Sequence, residues 1–163
     1  MKKHIIRASV IAVLCVSLIG CGAPKNTKEI ADYKEAMELF FENMETINEE
    51  INAIDPESQD ALDSLYKEFD KLEKQFSIMA SLDVPTENVP ETFKYIEALA
   101  DEASAYMVQS NEYLKEAYDD IEYSENTLAG AIECYNRANK RMYYIIDLLH
   151  GNLPQDENIS YTN

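Results

Sequence analysis

The sequence is poor in the residues that build loops, disulfide frameworks and zinc sites. It holds four glycines, five prolines, three cysteines and two histidines among 163 residues, and no tryptophan. So little glycine and proline argues against a loop-rich β-sandwich or a low-complexity chain and favours long helices. Three cysteines cannot build a framework of paired disulfides. Hydrophobic residues make up 46% of the chain, which is enough for the core of one domain.

Positive charge is also scarce. Lys and Arg together number 14 against 31 Asp and Glu, which gives a formal net charge of −17. Proteins bind nucleic acid largely by neutralising backbone phosphates with Lys and Arg. We therefore expect no nucleic-acid partner.

The first 20 residues have the organisation of a cleaved secretory signal peptide. The basic residues Lys2, Lys3 and Arg7 precede an apolar segment from Ala8 to Ile19. A basic start followed by an apolar stretch of this length is typical of secretory signals. A transmembrane helix needs about 20 apolar residues, so a retained membrane span is the weaker interpretation.

The signal ends in Leu18-Ile19-Gly20-Cys21, which resembles the lipobox of bacterial lipoproteins. The resemblance implies transfer of diacylglyceryl to the Cys21 thiol, cleavage between Gly20 and Cys21, and acylation of the new amino terminus, for instance with palmitate. Two or more acyl chains hold a protein firmly on a membrane, whereas one chain binds only marginally. We predict a lipoprotein anchored through Cys21 on the extracytoplasmic face of the cell membrane. An ordinary secreted protein is the alternative.

Cleavage before Cys21 changes the inventory of reactive groups. It removes three basic and no acidic residues, leaving 11 basic against 31 acidic residues and a net charge of −20. The mature chain keeps one histidine, His150, and one thiol besides that of Cys21, which belongs to Cys134.

This inventory excludes most catalytic chemistry. Zinc hydrolases and di-iron bundles need several histidine ligands. Cys134 and His150 lie 16 residues apart, about 24 Å along one helix, which is too far for the imidazole to activate the thiol. The sequence has neither a Gly-rich phosphate loop nor a G-x-S-x-G motif. We predict a protein that is not an enzyme and that has no metal and no cofactor.

A short spacer at residues 21–27 leads into two blocks of helical heptads, at about 28–54 and 57–82. Asp55-Pro56 separates the blocks, because proline disfavours helix at the preceding residue and suits the first turn of a new one. Pro85 and Pro90 interrupt the chain after the second block. The apolar residues that repeat at heptad spacing are Ile30, Met37, Met44, Ile51, Tyr33, Phe40, Ile47 and Ile54, then Leu62, Phe69, Phe76, Leu65, Leu72 and Met79.

The third block, about 90–149, keeps one heptad register throughout. An unbroken register favours a single helix of about 60 residues, near 90 Å long. A break near residues 123–127, with Ser124 as N-cap and Gly130 weakening the helix, would give four helices of similar length instead. One line of this block is mostly small residues, which we expect to meet the bulky side chains of the first two blocks.

The predicted fold is all-α: an antiparallel three-helix (or four-helix) bundle of coiled-coil type with a long C-terminal helix. The bundle covers residues 28–150. His150 lies in the last turn and Gly151 follows as the C-terminal cap, since glycine tolerates the left-handed conformation there. Residues 151–163 are predicted to be a disordered tail.

One segment stands out against the acidic background as a candidate recognition patch. Residues 135–144 contain three of the 11 basic residues of the mature chain and three tyrosines. The residues singled out are Tyr135, Arg137, Arg141 and Tyr144. They either recognise an anionic group or acidic partner, or they neutralise Glu and Asp on neighbouring helices. A second tyrosine-rich stretch, Tyr106, Tyr113, Tyr118 and Tyr123, binds a peptide or glycan or packs at the edge of the core.

Signal, lipobox, spacer and acidic helical domain together resemble the small helical lipoproteins of bacteria. The resemblance implies a membrane-anchored protein of the cell envelope and supplies no catalytic residues. We expect a non-enzymatic interaction or scaffold module, with an envelope protein as partner or with self-association. The alternative is a ligand-binding lipoprotein that holds a small molecule, a peptide or a cation between its helices.

Replacing Cys21 by Ser tests the anchor. Cells that express the wild-type chain should incorporate radiolabelled palmitate into it and retain it in the membrane fraction, whereas the C21S chain should take up no label because it lacks the thiol. Cys134→Ser removes the other thiol of the mature chain and should be labelled like the wild type. Labelling of C21S at the wild-type level would show that the lipid is attached elsewhere.

Overall fold

Four α-helices and one short 3-10 helix make up the secondary structure of the part of the chain that the structure describes. The structure is a computed structural model and describes residues 27–119 and 125–154. The elements are α1 (Thr27–Asn52), α2 (Ala61–Ala80), the 3-10 helix (Glu91–Tyr95), α3 (Ile96–Asp119) and α4 (Glu125–Leu149). The predicted all-α bundle is confirmed. Its C-terminal helix, α4, is 25 residues long.

The first two helices are antiparallel. The Asn43 side chain donates to Gln75 Oε1 at 3.2 Å, and Lys71 Nζ donates to Glu50 Oε2 at 2.7 Å. Residues later in α1 therefore face residues earlier in α2. The two blocks of heptads that the sequence indicates thus pack side by side.

The third block forms two helices that fold back on each other. Ser110 Oγ donates to the Ala131 carbonyl oxygen at 2.7 Å, and Thr92 Oγ1 donates to the Leu148 carbonyl oxygen at 2.9 Å. One continuous helix would hold these pairs far apart, so the expectation of a single helix over 90–149 is corrected. The structure has the four-helix alternative. Residues 120–124, which include the predicted cap Ser124, lie outside the described residues.

Burial explains why the chain turns back. A helix of about 90 Å would project far beyond partners of about 40 Å and leave part of its apolar seam without contacts. Folded back, both halves bury the seam, and α3 and α4 share the most extensive contact between any two helices. The small residues expected to meet bulky side chains instead face one another between α3 and α4, at Ser110 and Ala131. The buried residues of this seam include Ala103, Met107, Ser110, Leu114 and Ala117 of α3, and Ala131, Ala138, Met142 and Ile145 of α4.

The connection between α1 and α2 is longer than the sequence predicts. Asp55 Oδ1 accepts a hydrogen bond from the Glu57 amide at 3.0 Å, which closes a local turn. The predicted start of the second helix at residue 57 is therefore part of this turn, and α2 begins at Ala61. Asp side chains readily accept hydrogen bonds from nearby backbone amides, and these bonds compete with helix formation.

The end of α4 follows the sequence prediction. Gly151 has φ +82°, the left-handed conformation that glycine adopts without a Cβ clash. Its amide donates to the Leu148 carbonyl at 3.0 Å, and the Asn152 amide donates to the Asp147 carbonyl at 2.9 Å. These are the two bonds of a Schellman cap. Of the predicted tail, residues 155–163 lie outside the described range, while Pro154 is buried.

Two glycine substitutions separate backbone strain from helix propensity. Gly151→Ala should lower the free energy of unfolding by about 1 kcal/mol, because an L-residue is strained at positive φ. Gly130→Ala should raise it by up to about 1 kcal/mol through better helix propensity. A Cβ at position 130 would meet the Tyr113 ring at 3.4 Å, an ordinary contact. Urea unfolding monitored by circular dichroism measures both changes, and shifts of the same sign would contradict this account.

Candidate functional site

Arg137 and Arg141 lie one turn apart on α4 and both contact one aromatic ring of α3. The Arg141 guanidinium carbon is 4.6 Å from the centroid of the Tyr106 ring, and that of Arg137 is 5.5 Å away. Arg141 Nε donates to Glu102 Oε2 at 2.9 Å, and Arg137 donates to Glu133. Two cations therefore contact the ring of one tyrosine, and each has a carboxylate partner.

The two arginines differ in exposure. The Arg141 side chain is only 12% exposed, since it lies between Tyr106 and Glu102. The Arg137 side chain is 49% exposed. Hydrogen bonding to Tyr106, and then to Glu133, raises the pKa of Arg137 above its ordinary value, so its charge is permanent. Arg141 is thus a fixed group, while Arg137 also faces solvent.

The structure separates Tyr135 from these arginines. The Tyr135 hydroxyl donates to Asn48 Oδ1 of α1 at 2.9 Å, and its ring lies 5.5 Å from the ring of Phe69. Burial raises the pKa of Tyr135. Tyr135 therefore packs toward α1 and α2, whereas Arg137 and Arg141 pack against Tyr106 of α3. The two-residue step from Tyr135 to Arg137 places the two side chains on different sides of α4. Helix periodicity does not show which neighbouring helix each side faces, and that becomes clear only once the position of α3 is known.

The spacing 137, 141 and 144 places Tyr144 in line with the two arginines along α4. It is half-buried, and Lys140 Nζ lies 5.8 Å from its ring centroid. At the entrance to α3, Lys94 Nζ lies 4.9 Å from the ring of Tyr95. Contacts between a cation and a tyrosine ring therefore occur on α4 and also at the start of α3.

Tyr113 extends the same surface toward the start of α4. Its ring packs over Gly130 and the side chain is 41% exposed. The hairpin thus aligns Tyr106 and Tyr113, one heptad apart on α3, along α4. We call the surface formed by Tyr106, Tyr113, Arg137, Lys140, Arg141 and Tyr144 the tyrosine–arginine face.

In the sequence, Tyr106 and Tyr113 stand out only as members of a tyrosine-rich stretch. Their spacing was the available signal, but it joins the arginines only when α3 and α4 form a hairpin. The side chain of Tyr118 and the whole of Tyr123 lie outside what the structure describes.

Cys134 is a packed thiol on this side of α4. It is 7% exposed, and its Sγ lies 3.8 Å from Gln109 Oε1. Burial raises the pKa of Cys134, which disfavours the reactive thiolate. Across residues 27–119 and 125–154, no group of three or more His, Cys, Asp or Glu side chains is placed to hold a metal ion.

The outer surface of α1 has a different character. A shallow depression there is open to solvent and formed by this one helix, and Leu39 beside it is 58% exposed. The residues that line it are Asp32, Glu35, Ala36, Glu38, Leu39 and Glu42. Four of these six residues are acidic.

The predicted lipidation residue Cys21 and the preceding Leu18, Ile19 and Gly20 lie outside the described residues. None of the helices in the described ranges combines the length and apolar character needed to cross a membrane.

Comparison of the chain with family models, with curated proteins and with solved structures gives no match in any of the three. The function is therefore argued from the residues and their geometry.

Two buried tyrosine hydroxyls, one with a hydrogen-bond partner and one without, provide a matched test of the contact between Tyr135 and Asn48. Tyr135→Phe should lower the free energy of unfolding by about 1–3 kcal/mol, because it leaves the buried Asn48 acceptor unpaired. Tyr33→Phe should leave stability unchanged or raise it. The Tyr33 hydroxyl is buried with no hydrogen-bond partner among the described residues, and its ring, 6.3 Å from that of Phe93, is retained as Phe. Thermal unfolding of both variants gives the comparison, and an equal loss in both would refute the special role of Tyr135.

Proposed function

We propose that the chain is a lipid-anchored, extracytoplasmic, non-enzymatic module that presents the tyrosine–arginine face to a protein partner in the cell envelope. The observation that carries the proposal is the composition of this face. Tyr and Arg are the side chains most enriched at the energetic centres of protein interfaces, whereas Lys, Glu and Asp are depleted there. In a chain this acidic, such a surface is exceptional.

Preorganisation supports the same proposal. Binding costs free energy for each side chain that must be ordered. Arg141 is already held between Tyr106 and Glu102, and Tyr113 is already packed on Gly130. A partner that docks here orders few side chains, so more of the contact free energy remains for affinity.

The acidic surface of α1 is a poorer candidate for the same role. Its exposed residues are mainly Asp and Glu, the types depleted from interface centres. Leu39 is a single exposed apolar side chain, which is ordinary for a soluble surface. The two surfaces therefore provide a contrast within one molecule.

The interior favours a scaffold over a ligand carrier. Met44, Leu72, Phe76 and Met107 are completely buried along the middle of the bundle, with 0% exposure. Large side chains occupy the space where the alternative function would place a small molecule or a peptide. No contact among the described residues favours that alternative.

The anchor limits where the partner can lie. Cys21 precedes the first residue of α1 by six positions, and six residues span at most about 20 Å. A lipid on Cys21 would therefore keep the bundle next to the membrane surface. The partner that we propose is accordingly an envelope protein near that surface.

Site-specific photocrosslinking in intact cells tests the docking face. A benzophenone amino acid in place of Tyr113 of the full-length lipoprotein should give a discrete crosslinked product. The same amino acid in place of Leu39, which is also well exposed but lies on α1, should give none. A product at position 39 and none at position 113 would contradict the proposal.

Charge reversal identifies the residues responsible. Arg137→Glu with Arg141→Glu should weaken the crosslink at position 113 at least tenfold. Lys34→Glu with Lys67→Glu makes the same change in net charge on α1 and α2 and should leave the crosslink unchanged. Equal weakening by both pairs would show that overall charge, and not the tyrosine–arginine face, governs association.

A further inference from the structure

A chain of hydrogen bonds crosses the bundle between α4 and α1. The Tyr135 hydroxyl donates to Asn48 Oδ1 at 2.9 Å. Asn139 lies one turn further along α4, where its side chain opposes the rise in the pKa of the Tyr135 hydroxyl. Asn48 and Asn139 are only 7% and 6% exposed. We call Asn48, Tyr135 and Asn139 the Asn48–Tyr135–Asn139 network, in which the bond from Tyr135 to Asn48 links α4 to α1.

Stability alone does not account for this network. Asn48 Nδ2 and Asn139 Oδ1 are buried with no hydrogen-bond partner among the described residues. Buried polar atoms without partners destabilise the folded state, and an apolar replacement of the same shape is often neutral or stabilising. In helical bundles, a buried polar residue of this kind is best known for selecting one alignment of the helices over others.

The apolar face of α1 leaves such a choice open. Ile30, Met37 and Met44 form one line of heptad-spaced residues, and Tyr33, Phe40 and Ile47 form the other, all buried. Sliding α1 by one heptad, about 10.5 Å, replaces nearly every buried apolar residue by another one. Asn48 breaks this equivalence, because Phe41 would take its place beside Tyr135.

The connection to α2 does not prevent such a slide. Eight residues, 53–60, join the helices, and a segment of eight residues can extend to about 27 Å. The alignment of α1 must therefore be set by contacts within the bundle.

We propose that the Asn48–Tyr135–Asn139 network is a register lock, which selects one position of α1 along the other helices from positions one heptad apart. The lock itself does not depend on the proposed function. Its consequence does: because α1 follows the lipid attachment site, a slide of one heptad would move the tyrosine–arginine face about 10.5 Å relative to the membrane anchor.

Disulfide trapping in the full chain reads the alignment directly. In the native alignment the side chains of Asn43 and Gln75 touch, at 3.2 Å. The pair Asn43→Cys with Gln75→Cys therefore reports the native register. The slide that brings Phe41 beside Tyr135 brings Ala36 opposite Gln75, so Ala36→Cys with Gln75→Cys reports the slipped register. Both pairs are made in a Cys134→Ser background, and oxidised loops are scored by gel mobility.

With the lock intact, only the native pair should oxidise. A triple variant combines Asn48→Leu, Tyr135→Phe and Asn139→Leu. In it the slipped pair should form at least about tenfold more product than with the lock intact. A tenfold rise corresponds to a loss of about 1.4 kcal/mol in the preference for the native register. Helicity should persist. Oxidation of the native pair alone, in a chain that remains helical, would overturn the proposal.

Single substitutions decide the matter if the triple variant fails to fold. Tyr135→Phe keeps the ring against Phe69 and removes only the shared hydroxyl, so the slipped pair should still rise above its background. Tyr33→Phe removes a buried hydroxyl that takes no part in the network and should leave the register unchanged. The same response in both single variants, or in neither, would overturn the proposal.

Discussion

The close approach of α3 and α4 is the constraint on which the other features depend. Small residues at the contact let the Ser110 hydroxyl reach the backbone of α4, at the Ala131 carbonyl. That short separation brings Tyr106 under two guanidinium groups and lays Tyr113 across Gly130. With bulkier residues on either seam the helices would stand farther apart, and the tyrosines and arginines would form two separate rows.

Heptad spacing was sufficient to predict the helical class and the buried faces, because periodicity reports which side of a helix is apolar. It could not show where the chain reverses, since the register of α3 continues unbroken into α4. A chain reversal that preserves the heptad register leaves the apolar pattern unchanged. Whether the chain reverses depends on whether other helices are long enough to cover the whole apolar side of a single helix. The same limit explains Tyr135, whose place in the interior follows from the positions of α1 and α2. The arginines, in contrast, were identifiable as exceptions from charge alone.

Many of the basic side chains in the described residues are paired with acidic ones. Lysines of α2 pair with acidic residues on α1 and α2, as in the Lys71 contacts to Glu50 and Glu68 at 2.7 and 2.8 Å. Such exposed pairs contribute little stability individually. The depression on α1 keeps four acidic side chains, whereas the two arginines lie on α4 beside Glu102 and Glu133.

The hydrogen bond from Thr92 to the Leu148 carbonyl joins the start of the 3-10 helix to the last turn of α4. Helix ends normally fray, because their last carbonyls lack partners within the helix. Here the Leu148 carbonyl accepts from Thr92 Oγ1 and from the Gly151 amide, and the Asp147 carbonyl accepts from the Asn152 amide. The last turn of α4 is therefore both capped and bound to the 3-10 helix. We expect its amide hydrogens to exchange more slowly than those of a helix end that frays.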